Sequence, residues 1–156
     1  RSRCRRLAFA PPPVELAAPW VAERADISIE AAHLCLRMAA GAPGRALALA
    51  ASGALEADAA ARDLVEKLPA IDPSAALALA DSFRGPQGSA RFALAMDRIA
   101  AALRERACEA ALAGRSGERW AEAWSLVSEA PGEAEAINLD RADAFFTALS
   151  RLAALA

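Results

Sequence analysis

Arginines crowd the start of this 156-residue chain, where Arg1, Arg3, Arg5 and Arg6 are four of the first six residues. A guanidinium group is planar and permanently charged, so it can stabilise the charge on a phosphate. The simplest interpretation of the cluster is a solvated basic end. The net charge of −2 over the whole chain gives no general case for nucleic-acid or membrane binding, so any such role would be local.

Other reactive side chains are few. His33 is the only histidine, and it stands in an apolar run that is typical of a packed helix. It cannot form a two-histidine metal site, and no serine has a histidine and a carboxylate nearby in sequence. Cys4, Cys35 and Cys108 are far apart and lack a CxxC pairing, which fits a reducing cytoplasm and argues against a disulfide framework or a cysteine zinc site. We therefore predict no metal and no self-contained catalytic site.

The elements that must position these residues are helices. Alanine accounts for 46 of the 156 residues, and alanine is the strongest helix former. Charges interrupt every alanine-rich stretch before the roughly 20 apolar residues of a membrane helix are reached. We predict a soluble, all-α protein.

Glycine, proline and capping residues mark the boundaries of eight predicted helices. Gly41 supplies a left-handed stop, and Pro43 stands at the first position of the helix that follows. Residues 5–10 predict a short strand that ends at three prolines. The predicted helices cover about 14–24, 29–40, 43–51, 55–68, 73–83, 89–113 and 116–130, and the last runs from about 138 or 140 to 153. The seventh is expected to break at Pro131-Gly132.

Three strings carry a resemblance to a known family. Ser2-Arg3-Cys4 resembles the Ser-Arg-Cys motif of clamp-loader ATPase subunits, and residues 41–47, from Gly41 to Leu47, resemble the turn where the lid helix of that family begins. With the string Asn-Leu-Asp-Arg at 138–141 and the helical stretch between the motifs, the chain resembles the delta prime subunits of bacterial DNA polymerase III clamp loaders, which belong to the AAA+ proteins.

The resemblance implies three parts. Residues 1–10 would be the tail of an AAA+ core, including its last strand, 11–55 a small three-helix lid domain, and 56–156 a larger helical-bundle collar domain. Because no initiator methionine is present and Arg1 directly precedes the motif, we expect a C-terminal fragment of a longer protein.

The resemblance also implies roles for individual residues. Arg3 would be an arginine finger, supplied in trans to ATP on the adjacent subunit. At the lid turn, the nucleotide-hydrolysing subunits of this family carry a sequence similar to GSxRDAL, in which the arginine senses nucleotide. In this chain Gly44 stands at the position of that arginine. Arg45 is one residue further and about 100° around the helix, so it should not be assumed to substitute. The chain then resembles a non-catalytic stator more than a gamma/tau-type ATPase subunit, which is the alternative within the family. A generic helical interaction module is the alternative outside it.

Partners follow from the same resemblance. We expect contacts with the gamma/tau and delta subunits through the collar and Arg3, and with the sliding clamp and primer-template DNA only through the complex. No cofactor, no membrane and a cytoplasmic location are expected. The last helix is rich in apolar residues, which makes Phe145, Phe146 and Leu149 candidates for a subunit interface.

Overall fold

The computed structural model describes residues 9–155, and over that range the chain forms helices only. The all-α prediction is confirmed for this range. The eight helices are α1 (Val14–Ala25), α2 (Ile29–Met38), α3 (Pro43–Ala51), α4 (Ala54–Glu66), α5 (Pro73–Asp81), α6 (Gly88–Leu112), α7 (Glu118–Ala136) and α8 (Arg141–Leu155). None of the helices described is long and apolar enough to cross a membrane.

Several helices begin where polar side chains satisfy the first backbone N–H groups. Ser28 Oγ accepts from the N–H of Ala31 at 3.2 Å, and Asp72 Oδ1 accepts from the N–H of Ser74 at 3.0 Å. Asp140 Oδ1 accepts from the N–H of Ala142 at 2.9 Å. These short-range caps hold the helices where the sequence pattern placed them.

Two predictions about elements need correction or stay open. The predicted break at Pro131-Gly132 is wrong, because α7 continues through Pro131 to Ala136. Proline removes only one N–H donor, and Ala130 and Ala134 are buried on either side of it, so packing keeps the helix intact. The predicted strand at 5–10 lies mostly outside the described residues, while residues 9 and 10 are in neither a helix nor a strand.

The chain divides into two compact units, one running through Leu55 and the other beginning at Glu56. In the first unit α1, α2 and α3 pack pairwise. Their small side chains allow close approach of the helices around Val21 and Leu36, which are almost completely buried. The buried residues of this core are Ala17, Ala18, Val21, Ala32, Cys35, Leu36, Ala39 and Ala46.

The second unit contains most of α4 and all of α5 to α8, with α6 packed extensively along α7. Three phenylalanines form its centre. The Phe83 ring lies edge-on to Phe92, with centroids 5.4 Å apart, and to Phe145, with centroids 5.3 Å apart. These T-shaped pairs join the turn after α5, the start of α6 and the middle of α8 in one core.

Close backbone approach fixes the start of α6. A Cβ atom on Gly88 would lie 1.7 Å from the carbonyl oxygen of Phe83. Only glycine fits at this position, which is the first residue of α6.

Candidate functional site

The motif Ser2, Arg3 and Cys4 lies outside the described residues, so the arginine-finger role of Arg3 stays a prediction. The candidate site that the structure does describe is the turn between α2 and α3. It contains Gly41, Pro43, Gly44 and Arg45.

Backbone geometry requires glycine at the beginning of this turn. Gly41 has a φ of +80°, and its N–H donates to the carbonyl of Leu36 at 2.8 Å. A Cβ at Gly41 would lie 3.2 Å from Cβ of Pro11, closer than an ordinary van der Waals contact. The positive φ and the close proline together hold the end of α2 in place.

Pro43 and Gly44 begin α3. Pro43 stands in the first turn, where its missing N–H leaves no hydrogen bond unmade. Gly44 is exposed, and no heavy atom outside its immediate neighbourhood lies within 4 Å of the position a Cβ would occupy. This position therefore has room for a side chain but has none that could reach a phosphate.

Arg45 is exposed, whereas its neighbour Ala46 is fully buried in the first unit's core. The burial of Ala46 fixes the rotation of α3. Because successive helical residues are about 100° apart, Arg45 and Gly44 project in different directions from α3.

The three candidate interface residues of α8 do not share one surface. Phe145 is fully buried and Leu149 is 6% exposed, so both belong to the core of the second unit and offer no surface to a partner. Phe146 is 37% exposed. Of the three candidates, only Phe146 can contact another subunit without unfolding this one.

Helix α1 carries exposed apolar side chains beside the buried Val21. Val21 is buried, but Leu16 is 71% exposed and Trp20 is 43% exposed. The guanidinium carbon of Arg24 lies 5.9 Å from the Trp20 ring centroid. Leu16 and Trp20 therefore leave apolar surface on α1 that the core of the first unit does not cover.

A charged network between α4 and α6 is absent from the sequence predictions. Arg62 Nε donates to Asp58 Oδ2 at 2.7 Å, and the two terminal nitrogens of Arg62 reach Glu105 at 2.7 and 3.2 Å. The hydrogen bonds to Glu105 and Asp58 raise the pKa of Arg62 further above its usual range. The i, i+4 spacing of Asp58 and Arg62 was the one signal in the sequence that could have revealed part of this network.

The described residues include no group of three or more histidine, cysteine, aspartate or glutamate side chains placed to hold a metal ion. Among the described residues, neither Cys35, which is buried, nor Cys108, which is exposed, forms a disulfide.

Comparisons with known proteins give one partial relationship. No protein-family profile matches the chain, and no solved structure matches it. A stretch of 49 residues is 47% identical to "DNA polymerase III subunit delta'" of Escherichia coli (strain K12). The match covers 31% of this chain and 15% of that protein. Within the matched stretch the chain is thus similar to a subunit of DNA polymerase III.

Proposed function

We propose that this chain is part of a stator subunit of a bacterial clamp loader, where it completes the ATP site of a neighbouring subunit and helps to hold the ring of subunits together. The observation that carries the proposal is the identity of 47% over 49 residues to the delta' subunit of DNA polymerase III.

The arrangement of helices supports the proposal. A lid of three helices followed by a helical collar was expected. The chain has α1 to α3 before Leu55, and most of α4 and all of α5 to α8 after it. In this assignment α1 to α3 form the lid. The second unit, built on the Phe83, Phe92 and Phe145 cluster, forms the collar.

The lid turn favours a stator over a gamma/tau-type ATPase subunit. Gly44 has no side chain, and the space around it is open, so packing does not explain why an arginine is missing. A subunit without a lid sensor can still contribute Arg3 to the ATP of its neighbour, because an arginine finger acts across the boundary between subunits. The same proposal makes the chain non-catalytic by itself and cytoplasmic.

The collar has an exposed aromatic anchor for the ring. Phe146 contacts Phe145, with ring centroids 5.9 Å apart, and is itself partly exposed. Aromatic residues that are supported by a rigid core dominate many protein interfaces. We assign Phe146 to the contact with a neighbouring clamp-loader subunit.

Reconstitution tests the proposal. The protein expressed from its natural gene is mixed with the gamma/tau and delta subunits of the same organism and separated by size-exclusion chromatography. Elution in one complex that loads the sliding clamp onto primed DNA is expected. A mixture that loads clamps equally well without the protein would reject the stator role.

A further inference from the structure

A cleft lies at one end of the second unit, where α6 begins, α7 ends and α8 begins. Its volume is about 460 Å³. The lining combines an apolar floor with charged side chains, and it includes Phe92, Pro131, Leu139, Glu135, Asp140 and Arg141. A cleft of this size can admit an apolar side chain from another protein molecule.

Exposed aliphatic side chains stand beside this cleft, in the turn from α7 to α8. Ile137 is 71% exposed and does not line the cleft, and Leu139 is 38% exposed. The turn is fixed, because the N–H of Leu139 donates to the carbonyl of Ala134 at 2.9 Å and Asn138 has a φ of +52°. Ile137 therefore needs little ordering when another surface covers it.

Glu135 and Arg141 each stand at the helix end that disfavours their charge. Glu135 lies in the last turn of α7, where the helix dipole favours a cation, and Arg141 is the first residue of α8, where the dipole favours an anion. Within the part of the chain that the structure describes, neither side chain forms an ion pair. Asp140 is already engaged, because it caps α8. The stability of their own helices thus does not explain these two charges.

We propose that the α7–α8 surface, which is the cleft together with residues 135–141, binds the same surface of a second copy of this chain about a two-fold axis close to Asn138. Glu135 and Arg141 lie three residues before and three residues after Asn138. Such an axis faces Glu135 with Arg141 of the partner subunit, and it brings Ile137 to the cleft of the other copy.

The two-fold arrangement fits because the α7–α8 surface is complementary to itself. It carries both a protruding side chain and a cleft, and both a carboxylate and a guanidinium. An isologous contact requires this property, since each residue meets on the other copy the group that its own counterpart meets in return. This inference does not depend on the proposed function.

Sedimentation equilibrium of the whole chain, without other subunits, tests the proposal. A reversible dimer with a dissociation constant in the micromolar range is expected, because the surface is small. Ile137→Asp should weaken the dimer by about tenfold or more. The matched control is Leu112→Asp, which changes a residue 90% exposed at the other end of α6 and should alter the dissociation constant less than about twofold. A chain that stays monomeric, or equal effects of the two changes, would overturn the proposal.

Charge reversal tests the pairing of Glu135 with Arg141. Glu135→Arg sets two guanidinium groups against each other in the dimer, and Arg141→Glu sets two carboxylates, so each should weaken the dimer by about tenfold or more. Each reversal suits the helix end where it stands, so both variants should stay folded by circular dichroism. The controls Glu122→Arg and Arg104→Glu, at exposed positions outside the surface, should change the dissociation constant less than about twofold.

Restoration provides the decisive comparison. The double reversal Glu135→Arg/Arg141→Glu should dimerise as the natural chain does, and a mixture of the two single variants should form a heterodimer, because opposite charges then face each other again. Full dimerisation of either single variant, or no heterodimer in the mixture, would overturn the two-fold pairing. Because only this chain is present, a negative result leaves the reconstitution test of the stator role unaffected.

Discussion

Asp58 and Arg98 are the two charged residues buried in the described part of the chain, and they face each other: Arg98 Nη1 lies 3.9 Å from Asp58 Oδ1. Arg62 also donates to the same carboxylate, and Asp97 pairs with Arg98 at the surface. The carboxylate of Asp58 is therefore the point at which charges on α4 and α6 meet inside the second unit.

Loss of the charge at this point should destabilise the fold. Asp58→Asn leaves the buried guanidinium of Arg98 without its buried counter-charge, and we expect the free energy of unfolding to fall by about 3 kcal/mol. Urea denaturation followed by circular dichroism measures it. Asp63→Asn is the control, because the Asp63–Lys67 pair is more than half exposed and should matter by less than about 0.5 kcal/mol. Equal effects would show that the buried network does not stabilise the fold.

Two helical glycines of the second unit should respond oppositely to alanine. Gly88→Ala places a Cβ against the Phe83 carbonyl and should cost about 2 kcal/mol or more. Gly132 has no heavy atom within 4 Å of a Cβ position and lies inside α7, so Gly132→Ala should stabilise by about 0.5–1 kcal/mol. Thermal unfolding of the two variants checks the signs. Stabilisation by both changes would mean that α6 does not start against Phe83.

Substitution of the two adjacent phenylalanines of α8 distinguishes a core position from a candidate interface position. Phe145→Asp buries a charge in the centre of the second unit and should cost more than about 4 kcal/mol, which unfolds it. Phe146→Asp should leave the melting temperature nearly unchanged but, under the proposed stator role, prevent co-elution with the gamma/tau and delta subunits. A folded Phe146→Asp protein that still enters the complex would remove Phe146 from the interface.

Much of the helical pattern follows from local signals. Ser28, Asp72 and Asp140 cap helices, and Gly41 ends one through its positive φ, so residues within a few positions of each boundary determine it. Pro131 is the exception. At Pro131 the sequence predicts a break, but the helix continues because the neighbouring alanines are buried. That burial depends on the helix packed against α7, which the residues next to Pro131 in sequence do not reveal.

The candidate surfaces were harder to predict for the same reason. Arg62 and Glu105 are 43 residues apart, so their ion pair depends on how α4 meets α6. Trp20 and Phe145 have similar apolar character, yet one is 43% exposed and the other fully buried. Periodicity identifies a face of a helix, but only the volume of the neighbouring helices decides which part of that face is covered.

The lid turn leads to a prediction about nucleotide. The chain should show no heat of binding with ATP and magnesium in titration calorimetry, because Gly44 has no side chain to offer to a phosphate. The gamma/tau subunit is the positive control. Micromolar binding by this chain would show that α1 to α3 are not a sensor-less lid.

The central claim is that Arg3 acts on ATP held by a neighbour, and the direct measurement is steady-state ATP turnover by the assembled complex stimulated by clamp and primed DNA. Arg3→Ala, introduced into the natural gene, should leave assembly intact and lower turnover by a large factor, since arginine fingers contribute roughly 10³ to 10⁵ where they have been measured. Arg3→Lys should restore only part of the rate, because an ammonium lacks the planar fork. Arg1→Ala, Arg5→Ala and Arg6→Ala should each retain near-normal turnover at the same salt concentration, whereas a loss as large as that of Arg3→Ala in any of them would contradict the arginine-finger assignment.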